Sequence, residues 1–569
     1  MWLNRKATWL LVALLALCAL PAGGNGQTPA APVEVHLTVL ATTDVHGNVW
    51  PYDYLFARPA DRGLAKVSTY VKSVRAQQPN MLLLDCGDTF QGTPLAYLAA
   101  AKYPTEPNPA IAAMNAMGYD AMAVGNHEWN FGLHALWQFK EQVEFPMLGA
   151  NIVSTYHDRK RDFEPYVIRK VGGVRIAILG MVTPAIPRWE PPENRTGYTF
   201  RDLVATAKEY VPKLRRKADL VIVIMHSGLG RDELTGALEE NIYPEEDHAW
   251  DVAEQVPGID VIIYGHTHRE MAGKRVNGVL LVQPKNWAQS VAQVELKLER
   301  EAGKWKLTDK QSRVVPMDAS IPADEKILAL TRAAHQRTED YLNTVVGKVD
   351  EDVSGRTGRL EDNPLVELIN RVQMHYGKAE VSLATLFTPS AYLKTGPVTI
   401  RDVYRLYLYE NTLFTVEVTG AQLKEALEYS ARTFKTYPWP ADESLAGSLP
   451  TYNSDTAEGI SYQIDLRRPA GDRIVGLTFE GKPLEPTRKL RLAFNSYSWS
   501  GGGAYDMLRH AKVVHRVDEQ VRELIIQYVR EHPQVPTTAD HNWEIIPGEA
   551  RQALIDFVNT PRPPAAGSN

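Results

Sequence analysis

Runs of apolar residues recur along the first half of the chain, and five of them give way abruptly to polar residues. Val35 to Thr42 alternates and predicts a strand ending near Asp44-Val45-His46. Met81 to Leu84 predicts a short buried strand leading into Asp85-Cys86-Gly87-Asp88, and Tyr119 to Val124 leads into Gly125-Asn126-His127-Glu128. Leu220 to Met225 ends at His226, and Asp260 to Tyr264 ends at Gly265-His266-Thr267-His268. Helical spacing fills the intervals. Leu64, Val67, Tyr70, Val71 and Val74 line one side of a helix over Asp61 to Gln77, and Ala110 to Met117 follows Pro109, where a proline suits a helix start. Gly132 to Gln142 and Phe200 to Arg216 read as further helices, and Arg175 to Leu179 as a strand. Val279 to Pro284 and Ser290 to Leu298 are expected to return as antiparallel strands. Strand-helix alternation with returning strands predicts a sheet sandwich flanked by helices over about residues 33–320.

Ile321 to Asn343 reads as one helix, opened by Pro322 and Asp324, that connects two domains; packing on either domain is equally compatible with its pattern. The second domain, about 344–550, mixes helices (Pro364 to Tyr376, Leu423 to Ser430) with strands such as Phe414 to Val418, an α/β pattern. Tyr437 to Pro450 reads as a loop and 551–569 as a tail, frayed from Pro561 onward.

A chain of 569 residues is too long for one core, which supports the division into two domains. Formal net charge is -6 and no Lys/Arg block is present, which excludes a groove for polymeric nucleic acid and leaves small nucleotides as partners. Arg5 and Lys6, the apolar run Ala7 to Leu20 and Pro21-Ala22-Gly23-Gly24 read as a signal peptide over 1–24. The run is short of the roughly 20 residues of a membrane span, and Leu17 ahead of Cys18 argues against lipidation. The expected product is exported, periplasmic or secreted, without a stable membrane anchor. Cys86 would then be the only cysteine left, so no intramolecular disulfide forms, and it reads as a small buried hydrophobe.

The strand-end residues Asp44, His46, Asp88, Asn126, His226, His266 and His268 are all metal-ligand types. Mixed imidazole and carboxylate donors suit Mn, Zn or Fe better than Mg or Ca. Seven donors predict two ions about 3.5–4 Å apart, a pair that activates water against phosphorus and neutralises the phosphoryl oxygens. Asp44 and His46 can share an ion only if the strand stops and the chain turns between them. His127 adjoins Asn126 yet would point elsewhere, free to stabilise phosphoryl oxygens or protonate a leaving group.

The ordered set Asp44-Val45-His46-Gly47-Asn48, Gly87-Asp88-Thr89-Phe90-Gln91-Gly92, Gly125-Asn126-His127-Glu128, His226-Ser227-Gly228 and Gly265-His266-Thr267-His268 resembles the calcineurin-like metallophosphoesterases, specifically the 5'-nucleotidase family of exported two-domain enzymes. The resemblance implies a four-layer αββα sandwich followed by an α/β domain of the 5'-nucleotidase type. It implies that Asp44, His46, Asp88 and His268 hold one ion, that Asp88, Asn126, His226 and His266 hold the other, and that His127 is catalytic. Where 5'-nucleotidases carry an Asp that completes a dyad with this histidine, Asn130 stands here and can only orient the ring. Gly125 to Leu133, Gln91-Gly92-Thr93-Pro94-Leu95 and Asn241-Ile242-Tyr243 instead resemble the bacterial 2',3'-cyclic-nucleotide 2'-phosphodiesterase/3'-nucleotidase branch.

In the second domain, Tyr452-Asn453-Ser454-Asp455 and the Gly-rich stretch Asn495 to Tyr505 read equally well as a slot for a base or as a hairpin with core tyrosines. The family resemblance implies that two aromatics, here Tyr452 and Tyr505, sandwich a nucleobase, with Asn495 at the base edge or supporting the turn. The family's Gly-Gly-Arg phosphate clamp has no counterpart in Phe387 to Tyr392, and Arg401 and Arg405 as readily solvate a helix. The expected activity is hydrolysis of nucleoside 2',3'-cyclic phosphates to 3'-phosphates and of 3'-nucleotides to nucleoside and phosphate. The alternatives are a 5'-nucleotidase or nucleotide-sugar hydrolase and, more remotely, a non-catalytic nucleotide-binding protein.

Overall fold

Alternation within each apolar run decides which way a strand faces. In the computed structural model, which describes residues 33–156, 161–239, 243–439, 453–509 and 511–560, the first sheet contains β1 (Val33–Thr42), β2 (Met81–Asp85), β3 (Ala121–Ala123) and β4 (Met147–Leu148). The second contains β5 (Tyr166–Val171), β6 (Val174–Val182), β7 (Leu220–His226), β8 (Val261–Tyr264), β9 (Met271–Val276) and β10 (Val279–Gln283). β11 (Ser290–Glu301) and β12 (Lys304–Pro316) then rejoin the first, giving six-stranded orders β12-β11-β1-β2-β3-β4 and β9-β10-β8-β7-β6-β5. Leu37, Val39, Leu82 and Leu84 of the first sheet meet Ile176, Ile178, Ile222 and Ile224 of the second in a dry inner core. The intervening residues face outward. Leu40 and Leu83 pack with Leu64 and Val67 of α1 (Leu64–Gln77) and Ile111 of α2 (Pro109–Met117). Leu179 and Val223 pack with Leu203 and Val211 of α3 (Leu203–Arg215). Each such side chain, fully buried, is worth about 1.5–3 kcal/mol. The result is the four-layer αββα sandwich. Cys86, fully buried, lies in its inner core and donates Sγ–H to Ile263 O.

β1 runs parallel to β2, β2 to β3, β6 to β7 and β7 to β8, so the polar residues that follow these strands gather at one edge of the sandwich. One expectation fails. β10 is parallel to β8 and antiparallel only to β9, whereas β11 does return antiparallel to β1. The cause is the hairpin before β10: Asn277 and Gly278 both take positive φ (48° and 80°), the two-residue turn that reverses a chain tightly.

Helix α4 (Glu325–Leu342) is capped by Asp324, whose Oδ1 accepts from Lys326 N at 3.0 Å. It lies against the first domain: Trp50 Nε1 donates to Thr331 Oγ1 at 2.9 Å, and Ser68 Oγ donates to Asp324. Its far end accepts the buried Arg401 at Glu339 Oε2, 3.2 Å, and Asn343 Oδ1, 3.0 Å. Arg401 thus fastens the second domain to this helix rather than solvating its own.

The second domain is built on α5 (Pro364–Gly377) and a five-stranded sheet of β13 (Val381–Ala384), β14 (Thr412–Thr419), β15 (Thr456–Glu458), β16 (Lys489–Asn495) and β17 (Lys512–Gln520), in the order β15-β13-β16-β14-β17. Residues expected in a tail from 551 are in fact helical: α6 (Gly548–Asn559) packs through Ala550 and Leu554. Among the described residues no helix is long and apolar enough to cross a membrane. The expected signal peptide, residues 440–450 of the expected loop and the frayed end at 561–569 lie outside the described residues.

Candidate metal centre and active site

β1 stops at Thr42, and the chain then coils. Asp44 and His46 take φ of 48° and 49°, with Gly47 at 69°, so strand alternation no longer governs where their side chains go. Asp88 (58°), His266 (80°) and His268 (57°) share this left-handed conformation, which makes five of the seven expected ligands. Neighbouring loops hold them there: Asp44 N donates to Gly87 O at 2.9 Å, and His46 N to Asp88 O at 2.8 Å. The buried Glu128 completes the frame, accepting from Gly125 N (2.6 Å), Asp88 N (2.9 Å) and Thr89 N (2.6 Å). Gly125 admits no side chain, because a Cβ there would lie 2.2 Å from Asp88 Oδ1.

Two groups of donors converge. Asp44, His46 and His268 place one ligand atom each within 4.8 Å of one another, as do Asp88, His226 and His266. Asp88 stands between them, its Oδ2 2.9 Å from His226 Nε2 and 4.0 Å from both His46 Nε2 and His127 Nε2. His226 Nδ1 lies 2.8 Å from Cys86 O and His46 Nδ1 3.0 Å from Gln91 O. A carbonyl accepts only from N–H, so both rings carry a proton on Nδ1 and turn Nε2 inward, as second-shell anchoring does in metal sites. His46 Nε2 faces His268 Nε2 at 2.9 Å. Asn126 Oδ1 is buried without a hydrogen-bond partner among the described residues. This donor set fits divalent cations. Burial, reinforced by His268, holds the His46 imidazole down to about 3, in its neutral ligand form. Burial would raise Asp44 and Asp88, but His268 beside the first and His226 beside the second hold both below the ordinary carboxylate range.

His127 stands beside this centre with its ring partly open to the cleft. Its backbone N–H donates to Asp88 Oδ1 at 2.7 Å, and its Nδ1 lies 2.6 Å from Asn130 Oδ1. Asn130 Nδ2 in turn donates to Glu190, whose other oxygen accepts from Asn194 Nδ2 at 2.9 Å. Glu190 is buried, which raises its carboxyl. An ionised Glu190 can only accept, so it fixes the amide with Oδ1 toward His127. Sequence reasoning found Asn130 but missed Glu190, 60 residues further on. It also missed Glu246, whose Oε1 lies 2.9 Å from His266 Nε2, and the framing role of Glu128.

The second-domain residues divide differently. Tyr452 lies outside the described residues. Tyr505 does not offer a stacking face: it is 1% exposed, packs on Tyr429, donates to Asn453 O at 2.8 Å and shares a 2.8 Å hydrogen bond with Ser430 Oγ. Positive φ at Gly501 (108°) and Gly503 (70°) turns the chain so that this ring enters the domain core. Asn495 supports the turn, its Oδ1 accepting from Ser498 N at 2.9 Å. Tyr497, lying over Gly502, is the tyrosine of this segment that keeps partial exposure.

The Gly-rich turn abuts the first domain. Tyr243 OH donates to Gly501 O at 2.6 Å, and Trp189 bridges from Tyr243 (6.0 Å between rings) to His266 (5.4 Å). Gln91, whose carbonyl holds His46, reaches with its side chain to Glu410 of the second domain, which the buried Arg522 also holds at 3.2 Å.

A two-sheet sandwich with such donors at one strand edge defines a metal-dependent phosphoester hydrolase. Residues 37–270 match the calcineurin-like phosphoesterase family model, and residues 345–510 match the 5'-nucleotidase C-terminal domain. A 2',3'-cyclic-nucleotide 2'-phosphodiesterase/3'-nucleotidase of Haemophilus influenzae is 30% identical over 94% of this chain and 91% of that protein. The trifunctional nucleotide phosphoesterase protein YfkN of Bacillus subtilis is 31% identical over 92% of this chain, which spans 40% of that protein. A putative 5'-nucleotidase structure from Staphylococcus aureus superposes with a TM-score of 0.79 at 26% identity, covering 90% of this chain and all of that one. The chain belongs to the 5'-nucleotidase family of calcineurin-like metallophosphoesterases, among relatives that include the bacterial 2',3'-cyclic-nucleotide 2'-phosphodiesterase/3'-nucleotidases.

Proposed function

We propose that the chain opens nucleoside 2',3'-cyclic phosphates to 3'-phosphates and then hydrolyses 3'-nucleotides to nucleoside and phosphate. The observation that carries the reading is the pair of donor groups meeting at Asp88 with His127 alongside. Asp44, His46, Asp88 and His268 would hold one divalent cation, and Asp88, Asn126, His226 and His266 the other, drawn from Mn, Zn and Fe. Bound there, the cations would supply an activated water and offset charge on the phosphoryl oxygens. His127 donates Nδ1–H to Asn130, and with a proton on Nε2 as well it would present that N–H toward the phosphoryl group or the departing ester oxygen. Asn130 and Glu190 keep that ring from rotating.

The names of the relatives, Asn130 in place of an Asp and the lack of an arginine in Phe387 to Tyr392 support the cyclic and 3' substrates over 5'-monophosphates. Tyr452 and Tyr497 are the rings we assign to the base. We further propose a signal peptide over 1–24 with export to the periplasm or beyond, a catalytic domain over 33–320 and a nucleoside-binding domain over 344–550. The mature chain with Mn or Zn should release phosphate faster from 2',3'-cAMP and 3'-AMP than from 5'-AMP. Dominant 5'-AMP hydrolysis would overturn the substrate assignment and leave the chemistry standing.

Glu190→Leu should lower kcat on 3'-AMP by about 10–100-fold, the usual effect of removing an outer orienting group. If His127 protonates the leaving group, a p-nitrophenyl ester, which needs no such proton, should lose far less. Glu190→Gln, which keeps an acceptor, should recover most of the rate. A loss that Glu190→Gln does not recover would mean that Glu190 only supports the fold.

A further inference from the structure

A second gathering of ligands lies in the second domain. Glu367 on α5, Glu458 at the end of β15 and Asp540, ahead of the strand Trp543–Ile546, place one carboxylate oxygen each within 4.8 Å of one another. Asp540 is exposed, whereas Glu458 is 9% and Glu367 2% exposed, so the cluster opens to solvent on one side only. Asp362 adds a fourth carboxylate to the same field, its Oδ2 accepting from His541 N at 2.8 Å. Arg371 is the cation that faces this group, and it binds Glu367 through Oε1.

Two oxygen sites are left without a donor. Glu367 Oε2 is buried and has no hydrogen-bond partner, and the Glu458 side chain, 9% exposed, accepts no hydrogen bond and joins no ion pair among the described residues. A buried carboxylate oxygen without a donor is costly, and native structures fill such positions with a partner, a metal or a proton. Burial and then Asp540 push Glu458 up to about 8, and burial pushes Glu367 up to about 7 against the pull of Arg371. That is the response of carboxylates that lack enough positive charge nearby.

We propose that Glu367, Glu458 and Asp540 form a site for a hard divalent cation of the Ca²⁺ type, separate from the centre of the first domain. The donors are oxygens alone, unlike the imidazole-rich set around Asp88, and all-oxygen sets select hard cations. Oxygens 4.8 Å apart or less fit about a single ion, since Ca²⁺–oxygen bonds run about 2.3–2.6 Å. The three ligands come from a helix, a sheet strand and a late loop, so a bound ion clamps segments far apart in the chain and stabilises this domain.

The test uses the full mature chain with the first centre saturated with Mn. Adding Ca²⁺ should raise the unfolding temperature by several degrees, and Tb³⁺ should bind with luminescence that Ca²⁺ displaces. In Asp540→Asn, at an exposed position where folding is safe, and in Glu458→Gln, both signals should vanish while Mn-dependent hydrolysis stays within about twofold. No Ca²⁺-dependent shift in the parent chain, or an equal shift in Asp540→Asn, would overturn the site. Neither result bears on the proposed nucleotide chemistry, which is read separately by phosphate release.

Discussion

Asp88→Asn is expected to lower phosphoester hydrolysis by at least roughly 10³-fold, beyond the loss from removing any single hydrogen-bond donor at such a centre. The substitution is chosen to leave the frame intact. Asn keeps Oδ1 for the His127 N–H, 2.7 Å away, and the Asp88 backbone still donates to Glu128. What disappears is the negative charge shared between the donor groups, with Oδ2 2.9 Å from His226 Nε2 and 4.0 Å from His46 Nε2. Metal content measured after gel filtration should fall together with kcat, while thermal unfolding of the chelated protein stays close to that of the parent. Retention of both ions at full stoichiometry would remove Asp88 from the bridging role.

His127→Ala should reduce kcat on 3'-AMP by about 10²–10⁴-fold, the range for loss of a positioned proton donor, with KM little changed. Its metal content should match the parent, since the only tie from residue 127 to Asp88 through a hydrogen bond is made by the backbone N–H and survives truncation. The leaving group decides between its two roles. If the ring protonates the departing ester oxygen, a p-nitrophenyl ester should lose much less than 3'-AMP. If it stabilises the phosphoryl oxygens, both should fall alike. Asn130→Ala should follow the same substrate pattern at smaller amplitude, because the ring remains present and loses only the 2.6 Å contact that orients it.

The strand ends were legible because parallel strands deliver their next residues to one edge, and apolar runs that stop at Asp, Asn or His mark those deliveries. The structure gathers Asp44, His46 and His268 in one group and Asp88, His226 and His266 in another, with Asn126 directing a partnerless oxygen from the adjoining turn. Direction was less legible. An apolar run such as Val279 to Val282 looks the same whichever way it runs, and only the Asn277-Gly278 turn discloses that it is parallel to β8. The supporting carboxylates were invisible for another reason. Glu128, Glu190 and Glu246 act through backbone amides or through a neighbour's side chain, and single-sequence spacing carries no trace of contacts made across loops. Tyr505 was misread because an aromatic after a glycine turn can face a cleft or a core; the φ values of Gly501 and Gly503, which the sequence leaves open, choose the core.

The left-handed backbone at Asp44, His46, Asp88, His266 and His268 bears on how such a chain changes over generations. A non-glycine residue in that conformation carries strain of about 1 kcal/mol or more, although Asp and His tolerate it better than most. Together the five amount to about 5 kcal/mol, comparable with the whole margin by which many domains stay folded. Glycine at any of them would relieve the backbone while giving up side-chain hydrogen bonds such as that from the His127 N–H to Asp88 Oδ1. Once selection for catalysis lapsed, only those local hydrogen bonds would hold Asp and His at strained positions, so these should drift ahead of the buried Leu and Ile around them. Descendants that still carry Asp and His there declare, by the strain they tolerate, that the chemistry is in use.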